Sequence, residues 1–227
     1  MKRTLKAFGL LLVAALAISA MTASASQAAE YTAGAYPATL DATSTGDTFS
    51  AFGQSVKCES TKFDGELTKA SETLSITPTY EKCTAESIIG KLPVTVTHNG
   101  CTYRFNKPAG SKDNYTATTD VICPAGKVIE VHIYLNAGAH AEGNSLCTLT
   151  IPPQTGLIGA KFEITTKAIN DVDVTGTLNN ITAVQHRNSF LCPAGTHTAT
   201  ASYAIAAAGV TVQGTNSKKE LVSADIG

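Results

Sequence analysis

The chain lacks several features on which familiar activities depend. It has 227 residues, no tryptophan and only 2 methionines, and charged residues make up 15% of it. Without tryptophan the sequence offers little aromatic surface for stacking sugar rings, which weakens both a lectin and a glycoside hydrolase interpretation. The serine elbow Gly-x-Ser-x-Gly, the zinc motif His-Glu-x-x-His and a glycine-rich phosphate loop are all absent. We therefore predict no enzyme activity and no cofactor.

Two alternatives survive these absences. Catalytic residues that converge from distant strands leave no local motif, so a secreted hydrolase with a dispersed acid/base site remains one alternative. A calcium- or glycan-binding module is the other. A deep cleft with facing carboxylates, or a histidine beside a serine, would favour the hydrolase.

The first 25 residues have the pattern of a secretory signal peptide. Three basic residues, at positions 2, 3 and 6, precede an apolar run from Ala7 to about Ala20, and small residues follow. The run is shorter than the ~20 residues that a membrane-spanning helix needs. We predict export to the extracellular space and no membrane insertion after cleavage. The candidate cleavage sites follow Ala25, which is preferred, Ala28 and Ala29.

The remaining chain is predicted to be one domain, residues 26–213, followed by a polar C-terminal tail, residues 214–227. Cleavage after Ala25 leaves a net charge of (17 − 3) − 18 = −4. A mildly acidic chain without a basic cluster argues against nucleic acid and against anionic membranes as partners. A partner at the cell envelope or extracellular surface is the expectation that remains.

The six cysteines all lie in the mature chain, and their even number in an exported protein predicts three disulfides. The smallest separation in sequence is 18, between Cys83 and Cys101, so the close pairs typical of zinc sites are missing. We predict that no metal is bound. The six predicted disulfide residues are Cys58, Cys83, Cys101, Cys123, Cys147 and Cys192.

Alternation of apolar and polar residues predicts an all-β protein. In KVIEVHIYL, Ile129, Val131, Ile133 and Leu135 fall on one face, as expected for a strand with one buried side. Because such runs recur between Gly, Asn and Pro, we predict a disulfide-stabilised antiparallel two-sheet sandwich, Ig-like or jelly-roll-like.

Two hairpins are predicted from their turns. Asn99-Gly100 favours a type I′ turn, which would place Val96 opposite Tyr103 and Val94 opposite Phe105. A turn at Ala70-Ser71 places Gly65 opposite Ile76 and Phe63 opposite Pro78, and the same register brings Cys58 opposite Cys83. The face of Cys58 and Cys83 would then differ from that of Leu67, which a bulge near one end of the hairpin would accommodate. Asn179-Asn180 is predicted to be a further hairpin turn.

The tetrapeptide Cys-Pro-Ala-Gly occurs twice, at Cys123 and at Cys192. Proline fixes φ and glycine permits positive φ, so each copy is interpreted as a turn tied by a disulfide, and neither has the basic neighbourhood of a reactive thiol. Residues Cys101 and Cys147 precede the two copies, which suggests bonds 101–123 and 147–192. Crossed pairings such as 101–147 with 123–192 remain open.

The histidines and one acidic segment are the candidate metal ligands in the sequence. His140 lies near Glu142 in a Gly/Ala/Asn-rich loop, where a solvated loop is the simpler interpretation. Asn170 to Asp173 offers oxygen ligands for calcium, but fewer than the 6–8 that calcium takes, and a turn explains the same letters. The other histidines lie at positions 98, 132, 186 and 197 and are interpreted as ordinary polar residues.

The stretches VKCESTKFDGEL, NGCTYRF, VICPAGKVIEV and CTLTIPPQ together resemble a group of uncharacterised exported actinobacterial proteins, β-rich and with paired cysteines. The resemblance covers most of residues 30–213 and implies export and a disulfide-linked β fold. It supplies no catalytic residues. The sequence thus predicts a secreted, non-catalytic extracellular or cell-envelope protein with a structural or binding role.

Overall fold

The computed structural model describes residues 29–87, 89–111, 114–136, 145–165, 171–186, 192, 197–205, 213–216, 221–222 and 224–226. These residues contain strands and turns and no helix. The strands are β1 (Tyr31–Ala33), β2 (Ala38–Thr45), β3 (Thr48–Ala51), β4 (Gln54–Leu67), β5 (Leu74–Ser87), β6 (Gly90–Thr97), β7 (Thr102–Phe105), β8 (Ala109–Ser111), β9 (Asn114–Ile122), β10 (Ile129–Ile133), β11 (Cys147–Ile151), β12 (Gln154–Thr165), β13 (Asp171–Gln185), β14 (His197–Ile205), β15 (Gln213–Asn216), β16 (Leu221–Val222) and β17 (Ala224–Ile226).

Eight antiparallel strands close into a barrel in the order β3, β4, β5, β7, β9, β12, β13, β14 and back to β3. The predicted all-β class is confirmed, but the predicted two-sheet sandwich is wrong. Alternation reports only that each strand has one buried face, which is equally true of a sandwich and of a barrel. The difference depends on which strands pair, and alternation carries no information about that.

Three further strands, β6, β10 and β11, form a second closed path. It runs through β5, β6, β10, β11, β13, β14, β3 and β4 and returns to β5. Strand β6 pairs with the end of β5, β10 pairs with β6 and β11, and β11 pairs with the end of β13. β15 adds to the same sheet by pairing with β2, whereas β1 and β17 form a separate two-stranded sheet. The long strands β4, β5 and β13, of 14, 14 and 15 residues, reach across both paths.

The two closed paths enclose separate groups of buried side chains. The large core fills the eight-strand barrel with residues such as Phe63, Phe105 and Phe162. The small core lies beneath β6, β10 and β11 and includes Val94, Val131 and Leu149. The predicted alternation of β10 is confirmed at Ile129, Val131 and Ile133, which are buried, whereas Leu135 lies beyond the strand and is 53% exposed.

The β4–β5 pairing follows the register predicted from its turn. Gly65 pairs with Ile76, Phe63 with Pro78, and Cys58 with Cys83. The change of face expected along β4 is also present, because Val56 and Cys58 are buried before it and Thr61 and Phe63 after it.

The register passes through this change without a shift, so the predicted bulge is replaced by another device. On β5, Lys82 adopts the left-handed region with φ 50°. That conformation breaks the alternation, so that β5 faces the large core before Lys82 and the small core at Cys83 and Ala85. At the same level, the strand that pairs with the other edge of β4 changes from β3 to β2.

The Asn99-Gly100 turn forms, but the predicted hairpin around it is wrong. Both residues have positive φ, 51° and 79°, and the amide of Cys101 donates to the carbonyl of His98 (2.7 Å). However, Val94 pairs with Cys83, and Tyr103 pairs with Ile76. β6 and β7 pair with different stretches of β5, residues 83–87 and 74–76, and the end of β6, residues 94–97, pairs with β10 before the chain turns.

The predicted hairpin turn at Asn179-Asn180 is also wrong. Asn180 does take the left-handed conformation, with φ 61°, but β13 continues through it. The register of β13 against β14 shifts by one residue between Leu178 and Ile181, which identifies a bulge. Asparagine tolerates the same conformation in a turn and in a bulge, so its identity did not distinguish the two.

Three disulfides join Cys58 to Cys83, Cys101 to Cys123, and Cys147 to Cys192. The prediction for Cys58–Cys83 is confirmed. Of the pairings left open for the other four cysteines, the structure has 101–123 with 147–192 and not the crossed bonds. The first Cys-Pro-Ala-Gly is a turn, since the amide of Lys127 donates to the carbonyl of Pro124 and Gly126 has φ 71°. Of the second copy, only Cys192 lies within the described residues.

Candidate functional site: the threonine–histidine face

The outer side of the second closed path carries an ordered array of polar side chains. One row runs across five strands through Thr97, Glu130, Thr150, Val184 and Thr198. Neighbouring strands lie about 4.8 Å apart, and residues on the same face of a strand lie about 7 Å apart. With the adjacent rows, the array comprises Thr95, Thr97, Glu130, His132, Thr148, Thr150, Thr182, Val184, His186, Thr198 and Thr200, which we call the threonine–histidine face.

His132 lies at the centre of a hydrogen-bonded row on this face. Its Nδ1 is 3.3 Å from the hydroxyl of Thr148, and its Nε2 is 3.5 Å from Oε2 of Glu130. Thr148 is also 3.0 Å from the hydroxyl of Ser145, and Asn99 donates to Glu130 (3.2 Å). The His132 side chain is 12% exposed. A hydroxyl, an imidazole and a carboxylate thus lie one after another in this row, although the sequence predicts His132 only as an ordinary polar residue.

The hydroxyl beside His132 lies on a strand that is paired along both edges. β11 is hydrogen-bonded to β10 on one side and to β13 on the other, and the carbonyl of Thr148 accepts from the amide of His186 (2.9 Å). Leu149 and Thr150 are thus paired on both edges of the strand. A backbone N–H that donates to a neighbouring strand cannot also be aimed at the developing oxyanion of an acyl transfer.

The rim of the face is fixed by a second set of contacts. Thr150 lies 2.6 Å from Nε2 of His186, which is exposed. Gln154 donates to the carbonyl of Thr182 (3.1 Å) and accepts from its amide (2.8 Å). Because two prolines follow β11, they cannot donate to β13, and the Gln154 amide continues the pairing in their place.

A second polar cluster is buried inside the barrel. Tyr203 donates to Asp47 (2.7 Å), Ser44 also donates to Asp47, and the hydroxyls of Tyr80 and Tyr103 are 2.7 Å apart. Ser44 and Asp47 are 0% and 1% exposed. Burial raises the pKa of Tyr103 to about 12 and raises the pKa values of Tyr80 and Tyr203 further above their ordinary value. These tyrosines therefore stay protonated and serve as hydrogen-bond donors.

This cluster borders a cavity of about 30 Å³, enough for a water molecule and too small for a metabolite. Its other walls are mostly apolar, including Val56, Ile129 and Val131. Aromatic rings fill the barrel nearby, where Phe105 and Phe162 meet edge to face at 5.2 Å. The cluster thus joins β5, β7 and β14 to the β2–β3 turn, and its geometry suits a structural role.

One buried carboxylate is paired with a cation. Asp120 accepts from Arg104 (2.7 Å) and from the amide of Gly156 (2.8 Å), and its side chain is 4% exposed. Burial raises the pKa of Asp120, but hydrogen bonds from Arg104, Gly156 and Asn106 outweigh it and leave the pKa below its ordinary value.

The residues weighed as metal ligands are not gathered into one site where the structure describes them. His98 accepts from the amide of Gly100 (3.1 Å) at its turn. His140, Glu142 and Asn170 lie outside the described residues, and the segment to Asp173 enters β13. Within the described ranges, no three His, Cys, Asp or Glu side chains are arranged to hold a metal ion.

Comparison with protein-family models, with curated proteins and with solved structures finds no match for this chain. The resemblance to exported actinobacterial proteins therefore stays a prediction. The part of the chain that the structure describes has no helix long and apolar enough to span a membrane.

Proposed function

We propose that the protein is exported, loses its N-terminal segment on the way, and acts outside the cell or in the cell envelope without catalysis, in a structural or binding role. The observation that carries this proposal is the use of all six cysteines in three disulfides. Disulfides persist in oxidising compartments and are rare where thiols are kept reduced.

The non-catalytic part of the proposal is supported by the surroundings of His132. Its partner hydroxyl is on a strand that pairs with β10 along its length and with β13 at Leu149 and Thr150, which leaves few backbone N–H groups to stabilise a tetrahedral intermediate there. The row of Thr148, His132 and Glu130 is nevertheless the feature that favours the second candidate, a secreted hydrolase.

Expression of the full chain in a secreting bacterial host tests both parts. We expect the protein in the medium, an N-terminus that begins at Ser26, and no titratable thiol after denaturation without reductant. Retention inside the cell, or two or more thiols per chain, would contradict export in oxidised form.

The same material is then assayed against ester, glycoside, peptide and phosphoester substrates, together with the variant His132→Ala. We expect no turnover above that of a buffer control. Turnover that wild-type protein shows and His132→Ala loses would establish the hydrolase instead.

A further inference from the structure

We propose that the threonine–histidine face binds neutral polysaccharide, an inference that rests on the proposed non-catalytic, extracellular role. The first support is the absence of charge over a wide area. Residues 147–151, 174–185 and 198–204 contain no Asp, Glu, Lys or Arg. Among the residues of the face, Glu130 alone carries a charge when the histidines are neutral.

The other side of the barrel is different, which makes the neutral face distinctive. On β4 and β5, Lys62 pairs with Glu81 (2.8 Å), and Lys82 pairs with Glu59 (3.1 Å). Interspersed charges of both signs are the usual composition of a protein surface that meets only water. The threonine–histidine face departs from that composition over five neighbouring strands.

Its exposed groups suit a hydroxyl-rich ligand. Thr97, Thr182, His186, Thr198 and Thr200 are exposed, and each threonine hydroxyl can both donate and accept a hydrogen bond. The β-branched side chain of threonine has few rotamers, so little conformational entropy is lost when it binds. Contacts to Thr150 and Gln154 further fix His186 and Thr182.

Other classes of ligand fit this face less well. Among the described residues of the face, an anionic polymer would meet the carboxylate of Glu130 and no Lys or Arg. An apolar partner would find Val184 there, because Tyr134, on the same side of β10, is buried at 2% exposed. Protein interfaces are enriched in aromatic residues and arginine, and the exposed positions of this face have neither. A neutral polyhydroxylated chain has the matching chemistry.

The ligand is inferred to be a polymer and not a single sugar. Without an exposed aromatic ring on the face, each sugar unit gains hydrogen bonds but no stacking contact, and hydrogen bonds that replace bonds to water contribute little net free energy each. Several repeating units bound along one rigid surface add their contributions through their high effective concentration.

The test measures retention of the full-length, oxidised protein on insoluble cellulose and chitin and its retardation in gels containing dextran. Heparin serves as the anionic comparison. The variant Thr182→Glu/Thr200→Glu places two negative charges at exposed positions of the face. Its matched control is Thr43→Glu/Thr79→Glu, which changes two exposed threonines that pair across the sheet with Lys62 on the charged side.

We expect wild-type protein and the control to bind at least one neutral polymer, and the face variant to bind it at least tenfold more weakly with an unchanged circular dichroism spectrum. Failure to bind any of the three neutral polymers, preferential binding to heparin, or equal binding by both variants would overturn the proposal. Reducing ends are measured in the same samples. Their release by wild-type protein would contradict the non-catalytic function, whereas an absence of binding without release would reject this inference alone.

Discussion

The large and small cores are stabilised differently. Among the described residues, the large core has 22 buried hydrophobic residues, including Phe105 and Phe162, whose rings meet edge to face, and one cysteine, Cys101. The small core has 11 such residues, and four of these are the cysteines of two disulfides. A small apolar cluster buries little surface for the chain it must order, and covalent links commonly compensate. Disulfides therefore appear where burial alone is least able to hold the strands.

Removing the two disulfides of the small core should lower the free energy of unfolding more than any other change considered. On the chain-entropy model, the loops closed by Cys58–Cys83 and Cys147–Cys192, with separations of 25 and 45, contribute about 3.5 and 4 kcal/mol. The variant in which all four cysteines are alanine should lose on the order of 7 kcal/mol in free energy of unfolding, measured with urea. The variant Cys101→Ala/Cys123→Ala removes one disulfide, with a separation of 22, and should lose about 3.4 kcal/mol on the same model. Equal losses in the two variants would contradict the larger contribution assigned to the two disulfides of the small core.

The polar cluster inside the large core should give the next largest effect. Asp47→Ala removes the carboxylate that accepts hydrogen bonds from Tyr203 and Ser44, so both buried hydroxyls lose that acceptor. Each unsatisfied buried group costs about 1–3 kcal/mol, so we expect a loss of about 2–4 kcal/mol in thermal or urea unfolding. Ser44→Ala, which removes only one donor, is the control and should cost less than Asp47→Ala. The reverse order would show that Asp47 is not the centre of the cluster.

The change of face between the two cores depends on Lys82, the residue of β5 in the left-handed conformation. Lys82→Val puts a β-branched side chain where φ is 50°, and we expect a loss of about 1–2 kcal/mol. Lys62→Val, at an exposed position of β4 paired with Thr79, is the control and should change stability by less than about 0.5 kcal/mol. If both valines are tolerated alike, the change of face does not rely on Lys82.

The Asp120 ion pair should show the smallest effect and a defined pH dependence. Because the folded-state pKa of Asp120 is below its ordinary value, its contribution is present at pH above about 4 and is lost as pH falls through the lowered folded pKa. The unfolding free energies of wild-type protein and Asp120→Asn should therefore differ at pH 7 and converge as the pH falls below about 4. A difference that does not shrink as the pH is lowered would contradict the assigned cause.

Local chemistry made some features of this fold predictable and left others hidden. The left-handed conformations of Asn99 and Asn180 and the Cys58–Cys83 register follow from residue type and spacing. The barrel does not, because closure depends on β5 and β13 exchanging partners along their length. Lysine gives no sequence signal for a left-handed conformation, so the change of face at Lys82 cannot be predicted from the sequence.

The candidate site was hidden for the same reason. Thr-x-Thr on β6 and on β11 and Glu-x-His on β10 each identify an outer face within their own strand. Only the pairing of β10 with β6 and β11, and of β11 with β13, brings His132 next to Thr148 and Thr150 next to His186. Thr150 and His186 are 36 positions apart in the sequence, and no local motif records their contact.

Hydrogen exchange followed by mass spectrometry, with and without a reductant, tests the central claim most directly. The account predicts that reduction increases exchange first in β6, β10 and β11, while the amides of β9 and β12 remain protected, because burial holds the large core and disulfides hold the small one. Simultaneous loss of protection in all of these strands, or earlier loss in β9 and β12, would contradict it.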